Sequence, residues 1–105
     1  MKEKIIKSSG NVFADLGLEN ADELYIKADL IAMLGDAIKN RKLTQIEAAD
    51  LIGISQPKLS ELLKGKDFGY SVERLLRFLH KLKIEIEIKL TDNQTKQTRS
   101  TLVPV

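Results

Sequence analysis

Apolar residues recur at helical spacing in four places along the chain and at strand spacing in one. In the first, Leu24, Ala28, Ile31, Leu34 and Ile38 step by three and four, and Ile26, Leu30, Met33 and Ala37 broaden the stripe. That face is expected to be buried. Asn20 precedes the stripe as N-cap with Glu23 three residues on, and Asn40, Arg41 and Lys42 end it with cations at the negative pole of the helix dipole. Gly35 inside this helix costs about 1 kcal/mol of helix propensity, which points to close approach of another backbone. A second, short helix opens on the capping box Thr44, Gln45, Ile46, Glu47 and stops at Gly53. Ser55 caps a third, with Pro57 in its first turn and Lys64-Gly65 at its end. The fourth begins at Ser71, with Tyr70 and Leu75 placed as a hydrophobic staple, and runs through Leu76, Phe78, Leu79 and Leu82. Lys83 to Leu90 then reads Lys-Ile-Glu-Ile-Glu-Ile-Lys-Leu, the period-two alternation of a strand.

The two ends differ from this. Residues 1–19 hold Gly10, Gly17 and only a short apolar set, so they read as an N-terminal arm. Residues 91–105 are polar and capless and are expected to form a flexible tail. The predicted organisation is an arm over 1–19, a helical domain over 20–83, a strand over 84–90 and the tail. The fold class is all-α, four main helices with one C-terminal strand.

At 105 residues, 43% hydrophobic and 30% charged, the chain can build one core and not two. It has no cysteine, which excludes disulfides and zinc-thiolate sites and makes the cytoplasm the expected compartment. Met1 to Gly10 carries lysines without an apolar core, and no apolar run is long enough for a bilayer, so neither secretion nor membrane insertion is expected. The single histidine, His80, reads as a surface or partly packed residue, and no carboxylate pair stands in a catalytic frame. No enzymatic activity, metal or cofactor is expected. Charge, however, is segregated: residues 11–40 hold two Lys/Arg against six Asp/Glu, net −4, and residues 41–83 hold nine against five, net +4. This suggests a basic face for a polyanion and an acidic segment for something else, or solvated faces that merely differ.

The spacing between the second and third helices carries the functional signal. Ala49 stands four residues before Gly53, Ile54 lies in the turn, and Leu59 and Leu62 share one face of the next helix. A helix-turn-helix needs a small residue where the two helices approach, a residue that accepts positive φ in the turn, and apolar residues at 52, 59 and 62 beneath. An ordinary αα-hairpin is the alternative.

With these residues in view, Gln45, Ala49, Gly53, Ile54, Ser55, Gln56, Leu59, Leu62 and Gly65 resemble the lambda repressor and Cro type of helix-turn-helix domain, the XRE family, over roughly residues 25–83. The string LTQIEAADLIGISQPKLSELLKGK, the following Phe68 to Ser71, the strand KIEIEIKL and the upstream NVFADLGL look like the HigA-like antitoxin branch of that family. The resemblance implies a lambda-repressor-like bundle, with a DNA-binding domain over 20–83 and its motif over 45–64. It also implies a repressor of its own operon that neutralises an mRNA-cleaving toxin.

By the same match, Ser55, Gln56, Lys58 and Glu61 face the major groove of double-stranded DNA. The residue pattern agrees, because Leu59 and Leu62 point inward and leave these outward. Gln56 can pair bidentately with adenine, and Lys58 can donate to guanine or a phosphate. Glu61 can accept from cytosine or exclude phosphate, and Pro57 can offer only apolar contact, as to a thymine methyl. Thr44 and Gln45 are placed to hydrogen-bond a phosphate at a helix N-terminus. Arg41, Lys42, Lys64 and Lys66 can supply counterion-releasing contacts or remain solvated.

A single strand cannot satisfy its own backbone groups, and its copy in a homodimer is the simplest partner for Ile84, Ile86, Ile88 and Leu90. Two recognition helices reaching successive major grooves of a palindromic operator, about 34 Å apart, also require a twofold dimer. Self-pairing about Ile86 sets Lys83 against Lys89 and Glu85 against Glu87. An axis at Glu85 or Glu87 instead pairs Glu with Lys and leaves one Glu-Glu contact, so the axis is expected off Ile86. Intramolecular cover of the strand is the alternative. In the arm, Val12, Phe13, Asp15, Leu16 and Leu18 have the acidic and apolar mix that would dock on a basic toxin, or that would cover the apolar face of the first helix. Two further readings stand beside the antitoxin: a stand-alone or phage-type repressor without a toxin, and a helical interaction module that has lost DNA binding.

Overall fold

A computed structural model describes residues 20–67 and 69–103. These form helices α1 (Ala21–Asn40), α2 (Gln45–Ile52), α3 (Gln56–Leu63) and α4 (Val72–Lys81), then strands β1 (Glu87–Thr91) and β2 (Thr98–Leu102). Among the described residues no helix is long and apolar enough to cross a membrane. The arm residues Val12, Phe13, Asp15, Leu16 and Leu18 lie outside the described residues.

Each helix boundary has a local cause. Thr44 closes α2 with a full capping box: its Oγ1 accepts from the Glu47 N–H at 3.1 Å, and Glu47 Oε1 accepts from the Thr44 N–H at 2.8 Å. Ser55 and Ser71 accept from the N–H of Lys58 and Arg74, capping α3 and α4. The expected cap at Asn20 is not made by a side chain: α1 starts on the backbone bond from the Leu24 N–H to the Asn20 carbonyl, and Glu23 reaches Lys27 at 3.2 Å instead. That ion pair lies one turn along the helix, within reach of both side chains, and competes with the cap for the carboxylate.

Helices α1, α3 and α4 all end in the same paired backbone bonds. After α1, the Lys42 N–H donates to Lys39 and the Leu43 N–H to Ile38; after α4, Lys83 donates to His80 and Ile84 to Leu79. The motif needs a left-handed residue. Gly65 supplies it after α3 at φ 74°, but Lys42 (φ 57°) and Lys83 (φ 68°) supply it after α1 and α4. Gly53, at φ 86°, turns the chain between α2 and α3.

The core joins all four helices: Leu34 and Ile38 from α1, Ala48, Ala49 and Ile52 from α2, Leu59 and Leu62 from α3, and Leu75, Phe78 and Leu79 from α4, with Leu82 beyond its end. Leu34, Ile52, Leu59, Leu62, Leu75 and Leu82 are sealed from solvent, each worth about 1.5–3 kcal/mol of burial. The buried stripe of α1 is narrower than its sequence suggests. Ile31, Leu34, Ala37 and Ile38 are buried where α3 and α4 pack against α1, whereas Ile26 (48% exposed) and Met33 (40%) are exposed. At Gly35 the neighbour is a side chain and not a backbone: an added Cβ would lie 3.7 Å from Leu63 Cδ2, ordinary van der Waals contact. Tyr70 stacks edge-on against Phe78, centroids 5.3 Å apart, and the Arg74 guanidinium lies 5.4 Å from the Tyr70 ring.

The C-terminal part departs from expectation. Residues 98–102, read as part of a flexible tail, form β2 and pair antiparallel with β1, from Glu87 opposite Leu102 to Thr91 opposite Thr98. The strand thus has a partner in its own chain. Thr-Arg-Ser-Thr-Leu shows no period-two pattern because both its faces are exposed, so no alternation marked it as a strand. The turn is organised by Asp92, whose Oδ1 accepts from the N–H of Gln94 and Thr95. Ile84 and Ile86 are half-buried against the helical core, while Ile88 (43% exposed) and Leu90 (67%) extend beyond it.

Candidate nucleic-acid interface

Helices α2 and α3 meet through a two-sided division of side chains. Leu59 and Leu62 are fully buried beside Ala48, Ala49 and Ile52, which fixes the opposite face of α3 toward solvent. On that face Gln56, Pro57, Lys58 and Glu61 are exposed, with Ser55 at the helix start and Lys64 and Lys66 past its end. Thr44 and Gln45 are exposed at the start of α2. The two helix starts are tied together: Gln56 Nε2 donates to Gln45 Oε1 at 3.1 Å. The contact leaves polar capacity on both amides. Gln56 keeps its carbonyl oxygen and a second N–H, the pair needed to read an adenine edge, and Gln45 keeps its NH₂ to donate to a phosphate.

The hydroxyls of Thr44 and Ser55 accept from backbone N–H groups as caps, and each retains its own proton to donate outward. Both helices therefore present an oriented N-terminus, partial positive charge and free donors on one side of the molecule. The arrangement can hold a phosphate backbone at α2 and insert the first turns of α3 into a groove.

Not all the cations gather there. Arg41 lines a groove between α1, α4 and the segment leading into β1, together with Glu85 and Glu87. In the other direction, a shallow depression beside Lys58 is lined by Tyr70, Ser71 and Arg74, residues the sequence reading did not assign to the interface. Arg74 carried no signal beyond one more exposed helical cation, because its position over Tyr70 and Phe78 arises from tertiary packing. Among the described residues no group of three His, Cys, Asp or Glu side chains is placed to hold a metal ion. His80, the lone histidine, is exposed on α4.

Comparison with known proteins matches this geometry. The family described as "Helix-turn-helix domain" matches residues 12–91. A solved structure named as an XRE family transcriptional regulator is 34% identical, with a TM-score of 0.67, over 82% of this chain and 97% of that one. No curated protein matches the chain. The chain belongs to the XRE-type helix-turn-helix family of DNA-binding transcriptional regulators.

Proposed function

We propose that this regulator is a repressor that binds a palindromic operator as a homodimer, reading bases with Gln56 and Lys58. The observation that carries this is the exposed first turn of α3, joined to the start of α2 by the Gln56–Gln45 hydrogen bond, above a fully buried Leu59 and Leu62. An interaction module without DNA binding has no need to hold two polar amides in register at adjoining helix starts. Thr44 and Gln45 take a phosphate, Ser55 and Glu61 border the base edges, Pro57 offers apolar contact, and Arg41, Lys42, Lys64 and Lys66 add charge around the footprint.

The biological role follows from the likeness of the LTQIEAADLIGISQPKLSELLKGK string and its flanks to HigA-like antitoxins. In this reading the chain represses its own operon and neutralises an mRNA-cleaving toxin through Val12, Phe13, Asp15, Leu16 and Leu18. A stand-alone repressor would have the same DNA-binding face, and a small basic ribonuclease-like reading frame beside the gene separates the two.

Gel-shift against the chain's own promoter tests the DNA-binding core of the proposal. The wild type is expected to bind and the double variant Gln56→Ala, Lys58→Ala to fail. Absence of wild-type binding at low salt overturns it.

A further inference from the structure

The free edge of β1 and the apolar groove beside it have no cover among the described residues. Among the described residues the sheet has two strands, so one edge of each is unpaired there. The Val103 N–H donates to the Ile86 carbonyl and the Asp92 N–H to the Gln97 carbonyl, so the even-numbered residues of β1 direct their backbone groups at β2. By the alternation of an antiparallel ladder, Glu87, Lys89 and Thr91 direct theirs away from it. The start of the same strand also walls a cavity of about 550 Å³, lined by Leu30, Met33, Ala37 and Leu79 of the helices and by Ile84 to Ile88, with no residue of β2 among its lining. The apolar face continues outward through the exposed Ile88 and Leu90.

We propose that a second copy of this chain covers this surface, its β1 pairing antiparallel with the first across a twofold axis at Ile88, to give a four-stranded sheet. The proposal deepens the dimer reading above and rests on it. Charge selects the occupant and the register. An axis at Ile88 sets Glu87 opposite the partner's Lys89 on both sides of the axis, with Glu85 opposite Thr91 and no like-charged pair. On the other face Ile88 meets its own copy, and Ile86 meets the partner's Leu90. An axis at Ile86 opposes Glu85 with Glu87, one at Glu87 opposes two Glu87 carboxylates, and one at Lys89 opposes two ammonium groups. The Ile88 register also fits the backbone, because Glu87 and Lys89, the residues whose N–H and C=O are free, become the hydrogen-bonded pairs. A foreign β-strand would not by itself supply the matching Glu–Lys order and the apolar series at once.

Because the chain has no cysteine, single-cysteine variants report the register directly. At the axis the two Cα atoms of a non-hydrogen-bonded pair lie about 4.5 Å apart, within the range a disulfide spans. Ile88→Cys is expected to cross-link on mild oxidation to about twice 11.8 kDa and to separate on reduction, while Glu87→Cys and Lys89→Cys cross-link when mixed and not alone. In sedimentation, K89E places like charges opposite each other twice and is expected to weaken self-association roughly tenfold, with E87K/K89E restoring it. Circular dichroism confirms that these surface variants stay folded. A wild type that sediments as a dimer without the Ile88→Cys cross-link places the interface elsewhere and overturns this proposal, leaving the dimer reading standing. A wild type that stays at 11.8 kDa throughout overturns both, and gel-shift with a single half-site then still reports DNA binding on its own.

Discussion

Gln56 and Gln45 stand eleven residues apart in sequence, and the Nε2 of the first donates to the Oε1 of the second at 3.1 Å. The bond crosses the turn at Gly53 and fixes the first turn of α3 relative to the start of α2. Gln56→Ala is expected to weaken binding to the operator by about 1–3 kcal/mol and to relax base preference at one position. Gln45→Ala is expected to weaken all sequences alike, apart from the change it causes through Gln56. Binding of wild type and both variants to an operator and to its single-base variants checks this: equal preference in Gln56→Ala and wild type removes Gln56 from base reading.

Lys58 lies beside Ser71 and Arg74 on the flank of α3. If Lys58 or Arg74 neutralises a phosphate, replacement by alanine lowers the slope of log affinity against log salt by about 1. A salt titration of each variant measures that slope, and an unchanged slope places the side chain in bulk solvent.

Glycine substitutions separate two kinds of position. Gly53→Ala forces a Cβ onto a φ of 86° and is expected to destabilise by about 1–2 kcal/mol. Gly35→Ala has room, 3.7 Å from Leu63 Cδ2, and is expected to stabilise by about 0.5–1 kcal/mol through helix propensity. Urea denaturation of the two variants should move the midpoint in opposite directions.

Lys83 carries the left-handed turn after α4 at φ 68°. Lys83→Gly removes that strain, and about 1–2 kcal/mol of added stability is expected. A lower urea midpoint than wild type would mean that the lysine side chain stabilises more than its backbone costs.

The Asp92 carboxyl is held below its usual range, chiefly by the N–H of Gln94 and then by that of Thr95. A folded-state pKa below the unfolded value stabilises the turn above the unfolded pKa, and that contribution is lost as pH falls through the folded one. The Gln94 and Thr95 amide signals should therefore shift as pH is lowered below about 3.8, and Asp92→Asn should abolish the shift. Proton-detected titration of the two amides reads this directly.

The helices and the exposed face of α3 were legible because their signals are local. Thr44, Ser55 and Ser71 cap as their spacing indicates, Gly53 turns left-handed, and Leu59 and Leu62 are buried. What escaped is tertiary or unmarked by pattern. Lysine at 42 and 83 gives no hint of positive φ, since glycine is the residue expected there. The outward turn of Ile26 and Met33 depends on how much of α1 its neighbours cover. β2 was missed because a strand exposed on both faces has no reason to alternate. The cue that remained was the Asp92 turn ahead of it.

Ala49, 3% exposed, belongs to the core that α2 and α3 share with Leu59 and Leu62. The volume of one methyl group sets how closely those helices approach, and with it the 3.1 Å reach between Gln56 and Gln45. A larger side chain there would not need to unfold the domain to be felt. It would move the outer surface of α3 against that of α2, so a buried residue acts as the gauge for the distance between two groups that solvent sees.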